Sequence, residues 1–242
     1  MPDPDYKDIA RLYGLEAVPE SVLRLTQLVA RQDAELGEIA KVITGDQAIT
    51  QRLLRAANPR AKTEQDYDVT TVEDALMRNG VGCVLLLAMG TPLTLALIKT
   101  FKTMVGEKLE SVNPRTTTPF LTEHVLGTIG FSGKAKGRVY LRLSVEGARL
   151  VAAEILGLAP KDLSNRSEID DAVGELLNIV TGNFKSNLCD AGLDCRLHTP
   201  SVTRTSSFEI ETLPGAGLER MAFRAPNLVL FVDVAVNPWN QD

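Results

Sequence analysis

The chain has 242 residues, a formal net charge of −5 and 44% hydrophobic residues. That length holds one large domain or two small ones, with enough apolar content for a core. The mildly acidic balance excludes a nucleic-acid or anionic-membrane surface, which needs clustered Lys and Arg. The most apolar stretches, 85–89 and 93–98, are divided by Pro92 and followed by Lys99, too short and broken for a membrane span. The N-terminus lacks a basic n-region and a signal core, so a cytoplasmic protein is expected. Cys83, Cys189 and Cys195 are an odd set without metal-ligand spacing and read as small buried side chains.

The first part reads as wholly helical. Pro19 suits a first turn ahead of Val22, Leu25, Leu28 and Val29 at helical spacing. Leu36, Ile39, Ala40 and Ile43 mark a second helix, stopped by Gly45. Asp46 caps a third, which buries Ile49, Leu53, Leu54 and Ala57 and ends at Asn58-Pro59. Residues 59–69 are polar and read as a loop. Thr71-Val72-Glu73-Asp74 has capping-box character and starts a short helix through Leu76 and Met77, closed by Asn79-Gly80. A further helix is expected over 91–105.

From about residue 108 the period changes. Segments 125–131 and 138–143 are β-branched and alternating, and 132–137 supplies turn chemistry, so a hairpin is expected. Residues 145–156 are helical and stop at Gly157, and a loop over 158–167 leads into a long helix over 168–190. Strands follow near 193–198, 202–210, 220–224 and 228–236. An all-helical first part before an antiparallel sheet with helices makes an α+β chain of two units, 1–90 and 91–242.

The long helix has two faces. At about 100° per residue, Ile169, Val173, Leu176, Leu177, Val180, Phe184 and Leu188 gather into an apolar stripe. Asp171, Glu175, Asn178, Gly182 and Lys185 gather into a second stripe, roughly opposite the first. Glu175 and Asn178 set a carboxylate and a carboxamide one turn apart, and Gly182 leaves room for another protein. Taken alone, the pair reads as an exposed polar face rather than a site, and Gly182 as a helix weakened by about 1 kcal/mol for no return.

Other chemistry is sparse. His124 and His198 are the two histidines, so no histidine–aspartate metal cluster can form in the first 90 residues, which excludes hydrolysis there. No metal site is expected. Gly127 and Gly130 fall in a strand, and Gly133 and Gly137 in a turn, whereas a phosphate-cradling loop lies between a strand and a helix.

Segment 171–188, DAVGELLNIVTGNFKSNL, resembles the signature helix of the CheX family of chemotaxis phosphatases, which share Glu-x-x-Asn on a long helix with CheC and FliY. GTIGFSG at 127–133 with KGRV at 136–139 looks like that family's first hairpin, and HTPSV at 198–202 looks like its later strand. The helix over 91–105, followed by Gly106 and Glu107, takes the place of its opening helix, so the likeness covers about 90–240. The first 90 residues resemble the N-terminal half of an HDOD domain through VPESVLRL at 18–25, IAKVI at 39–43, AITQRLLRAAN at 48–58 and the helix over 71–80. The apolar segment 83–104 could close the helical unit, open the CheX-like one, or do both, which would make one rigid body.

The resemblance implies a CheX/CheC-like antiparallel sheet with long helices, preceded by an all-α HDOD-like region. It implies a phosphatase for the aspartyl phosphate of a CheY-like response regulator in chemotaxis and two-component signalling. Asn178 would orient the water and Glu175 would engage a receiver lysine, with Asp171, Gly182 and Lys185 as partner contacts. No cofactor of its own is implied, because Mg2+ would come with the receiver. CheX relatives are homodimers through sheet edges, and segment 228–236 is apolar enough to need such a partner. A non-catalytic adaptor that binds a receiver and another signalling protein is the alternative.

Overall fold

A computed structural model describes residues 20–31, 34–58, 68–114, 117–134, 136–190, 193–210 and 217–236. Pro19 and most of the 59–69 loop lie outside them.

Helices α1 (Glu20–Ala30), α2 (Leu36–Thr44) and α3 (Gln47–Ala57) each bury one face. Val22, Leu25, Ile39, Ile43, Ile49 and Leu53 share a core with the start of the next helix. Asp46 caps α3, its Oδ1 accepting from the Ile49 N–H at 3.1 Å, and its Oδ2 also accepts from Ser21 on α1. Asn58 then pairs with the Val69 backbone, donating to the carbonyl at 2.8 Å and accepting from the N–H at 2.9 Å.

Helix α4 (Val72–Thr100) corrects the expected break at Asn79-Gly80 and the expected second helix over 91–105. It opens as the sequence suggests, with Thr71 Oγ1 accepting from the Asp74 N–H at 3.1 Å. It then runs unbroken through Gly80, Gly82, Gly90 and Pro92. An internal proline costs about 3 kcal/mol and each glycine about 1 kcal/mol. Val72, Leu76, Val84, Leu93 and Leu97 are all buried; at about 1.5–3 kcal/mol each, burial outweighs those costs. The helix ends in a wide turn, Phe101–Val105, stopped by Gly106 at φ 71°. Its first half packs on α1, α2 and α3, and its second half on the sheet. The expected boundary at residue 90 falls inside it.

The sheet has seven antiparallel strands, β1 (Glu110–Val112), β2 (His124–Gly133), β3 (Gly137–Ser144), β4 (Cys195–Leu197), β5 (Ser201–Thr205), β6 (Gly217–Ala225) and β7 (Leu228–Val236). Their order is β1-β6-β7-β3-β2-β4, with β5 beside β4 on the same flank of β2. The hairpin β2–β3 forms as expected, with Val125 opposite Leu143 and Phe131 opposite Gly137. Strand β7 is not an edge. It pairs with β6 on one side and β3 on the other and is buried along nearly its whole length, so its apolarity is satisfied within the chain. The expected strand 202–210 stops at Thr205, whose hydroxyl engages both backbone groups of Ser207 and turns the chain away.

Helices α4, α5 (Val145–Leu156) and α6 (Arg166–Asp190) pack on one face of the sheet, α6 between the other two. Helix α5 matches the sequence reading at both ends, with Ser144 Oγ accepting from the Gly147 N–H and Gly157 at φ 66°. On the other face, Arg142 lies 4.8 Å from the ring centroids of both Phe208 and Phe231 and pairs with buried Asp233 at 3.1 Å. No helix among the described residues is long and apolar enough to cross a membrane.

Candidate functional site: the exposed face of α6

Helix α6 starts at Asn165, whose Oδ1 accepts from the Ser167 N–H at 3.0 Å while its Nδ2 donates to Glu168 at 3.1 Å. The predicted apolar stripe is the buried one: Ile169, Val173, Leu176, Leu177, Val180, Phe184 and Leu188 all lie in the core. The helix settles closely on β2 because Gly127 has no side chain. A Cβ there would lie 3.1 Å from Leu177 Cδ2. Seating the apolar stripe fixes the rotation of the helix, and the polar stripe therefore points outward.

Asp171, Glu175 and Asn178 are exposed, and Gly182 and Lys185 are half-buried. The helix thus brings Glu175 and Asn178 together one turn apart. Neither side chain makes a hydrogen bond or ion pair with a described residue. A Cβ added at Gly182 would meet nothing within 4 Å.

Two contacts that sequence reasoning missed hold the borders of this face. Arg204 on β5 pairs with Asp170 at 2.7 Å, both side chains largely buried. On the other side, Asn183 Nδ2 donates to Thr100 Oγ1 of α4 at 3.4 Å. Between them, buried Thr181 donates to the carbonyls of Leu177 at 2.7 Å and Asn178 at 3.2 Å. An Asp-Asp pair in the sequence carries no sign of which carboxylate turns inward; only the arrival of β5 picks out Asp170.

The histidines have sheet roles. His124 is buried with its Nδ1 on the Thr122 carbonyl at 3.1 Å, and His198 Nε2 meets Ser132 Oγ at 3.0 Å. Among the described residues, no group of three or more His, Cys, Asp or Glu side chains gathers as metal ligands do.

Comparison with known proteins bears on this geometry. The family model for chemotaxis phosphatase CheX matches residues 125–220. The HDOD domain model matches residues 15–111, and so reaches past the end of α4. A CheC-like superfamily protein from Shewanella sp. PV-4 is 26% identical with a TM-score of 0.54, over 62% of this chain and 97% of that one. A chemotaxis protein CheX from Vibrio vulnificus is 24% identical with a TM-score of 0.53, over 62% and 96%. The CheX of a CheX–CheY–BeF3–Mg2+ complex from Borrelia burgdorferi shares the fold at 19% identity and a TM-score of 0.52, over 60% and 96%. Comparison with curated proteins returns no match. The chain therefore carries a CheX domain at 125–220, which contains the exposed face of α6, and an HDOD domain at 15–111.

Proposed function

We propose that the exposed face of α6 docks on a phosphorylated CheY-like receiver domain and accelerates hydrolysis of its aspartyl phosphate. One observation carries this: Glu175 and Asn178 stand exposed, one turn apart, on a helix whose other side is locked in the core. Polar groups positioned rigidly and engaged by no described residue are available to a second molecule. The CheX family match over this helix, and a CheX of the same fold in complex with CheY, support that partner class.

The reaction is in-line attack of water on phosphorus. The bond from phosphorus to the aspartyl oxygen breaks, leaving a carboxylate and inorganic phosphate. Asn178 suits the positioning of that water, because its carbonyl oxygen accepts from the water while its amide nitrogen donates to a phosphoryl oxygen. No proton has to pass through the side chain. Glu175 pairs with the receiver's lysine through a charge-assisted hydrogen bond and sets the register of docking. The metal ion that neutralises the phosphoryl charge arrives with the receiver.

The test follows phosphoaspartate decay on CheY-like receivers of the same organism, with wild type and variants. Asn178→Ala should reduce the acceleration about 10²-fold with binding retained, as expected for loss of a positioning group. Glu175→Ala should weaken docking about tenfold, the scale of one charge-assisted hydrogen bond. Receivers that bind wild type yet decay at their intrinsic rate would make the chain an adaptor. Receivers that neither bind nor respond would remove both readings.

A further inference from the structure

The sheet face turned away from the helices gathers positive charge that the sequence keeps apart. Phe131 of β2 meets Phe184 of α6 edge-on at 6.0 Å, and Gly127 lies under Leu177, so both face the helices. Side chains alternate along a strand, so Gly130 and Ser132 face the other way. Residues directly opposite each other on paired strands share a face. Arg138 of β3 stands opposite Gly130, and Arg196 of β4 stands opposite Ser132.

His198 completes the group. Its N–H donates to the Gly130 carbonyl at 2.9 Å, which carries the pairing of β4 with β2 one residue past Leu197. Its Nε2 meets Ser132 Oγ at 3.0 Å. The imidazole takes the space above Gly130, where a Cβ would come 2.9 Å from Nδ1. The glycine is therefore what lets the ring lie against the sheet, between Ser132 and the strand that carries Arg138.

Arg138, Arg196 and His198 are exposed and Ser132 is half-buried. Neither arginine makes an ion pair with a described residue. The neighbouring carboxylates are engaged elsewhere. Asp194 pairs with Lys134 at 3.5 Å, and Asp233, on the same face as Arg138, is held by Arg142 and Arg220. In a chain of net charge −5, two guanidiniums left without an acid beside a hydroxyl and an imidazole make a local field complementary to an anion.

We infer that Arg138, Arg196, Ser132 and His198 bind the phosphoryl group of inorganic phosphate or of a small phosphomonoester. A carboxylate is satisfied in one plane by a single guanidinium fork. A phosphoryl group presents at least three acceptor oxygens in different directions, and the donors here come from three neighbouring strands. Strands β3 and β4 stand about 10 Å apart across β2, a gap that two arginine side chains leaning over the glycine close on one anion. The Ser132 hydroxyl donates to a further oxygen when His198 Nε2 carries a proton and gives it to Ser132 Oγ. The site lies across the sheet from α6, so it is separate from the receiver-docking face and independent of the proposed function.

Titration of the full chain with inorganic phosphate at constant ionic strength, followed by calorimetry and by NMR of the His198 imidazole, tests the site. Saturable binding with a Kd of about 1 mM or tighter is expected, and acetate should give no saturation. Arg138→Gln and Arg196→Gln should each weaken binding about tenfold, the scale of one lost charge-assisted hydrogen bond. Arg224→Gln, on the same face but beside β1 at the far edge, should leave the affinity unchanged. Phenyl phosphate, titrated in parallel, separates the two sources. Binding tighter than that of inorganic phosphate identifies an ester as the occupant, and weaker binding identifies the free ion. Shifts that never saturate, equal responses to phosphate and acetate, or full affinity with both arginines replaced would mean an adventitious ion only and overturn the site. A chain that engages no receiver still answers this titration, so the two readings fail separately.

Discussion

Gly182 and Gly127 show what a missing side chain does on two sides of one helix. At Gly127 an added Cβ would press on Leu177, so the glycine serves packing inside the chain. At Gly182 it would meet open space, so no described residue repays the glycine. Gly182→Ala should therefore stabilise the protein by about 1 kcal/mol, read as a shifted urea midpoint. The same variant should slow receiver dephosphorylation, because the methyl group stands on the docking line one turn from Asn178. Stabilisation with undiminished turnover would take Gly182 out of the contact. Asp171 and Lys185 share the stripe in sequence but not in setting, one exposed and the other half-buried.

At the scale of the element, α6 was legible because both of its stripes are long and its rotation follows from burying one of them. What ties its first half to the sheet is Arg204. The Arg204–Asp170 pair is partly buried and well formed, so Arg204→Ala should cost about 1–2 kcal/mol. Hydrogen exchange should speed up at the start of α6 and not at its end; uniform protection would deny the pair a positioning role. Helices α1, α2, α3 and α5 and strands β2, β3 and β7 also stand where periodicity and capping residues put them. Two elements do not. Asn79-Gly80 reads as a stop, yet α4 continues, because burial on both halves exceeds the local cost. Segment 206–210 continues the alternation of β5, yet Phe208 leaves the edge to stack on Tyr140 at 5.3 Å and on Arg142.

For the whole molecule, α4 is the member common to the helical region and the sheet. We propose that the two units share it and move as one body, with Asn183–Thr100 linking it to the docking helix. NMR relaxation should give α1, α2 and α3 the same correlation time as the sheet, and thermal unfolding should show a single transition. Two correlation times would separate the units. The sheet places its most costly group centrally: Asp233 is fully buried and engaged by both Arg142 and Arg220. Strand β7, the most apolar, offers no edge to a second copy because β6 and β3 pair with it on its two sides.

Sequence by itself determined the helix that carries Glu175 and Asn178, which of its faces is buried, and the α+β order of the elements. These are local properties, since apolar period, caps and turn residues act within a few residues of one another. Tertiary structure alone decided that α4 packs on both the helical region and the sheet, that β7 is central, and that Asp170 turns to Arg204. Each depends on burial or contact between segments far apart in the chain. A local break costs a few kcal/mol and the burial of Val72, Leu76, Val84, Leu93 and Leu97 gains more, a balance that no window of sequence contains.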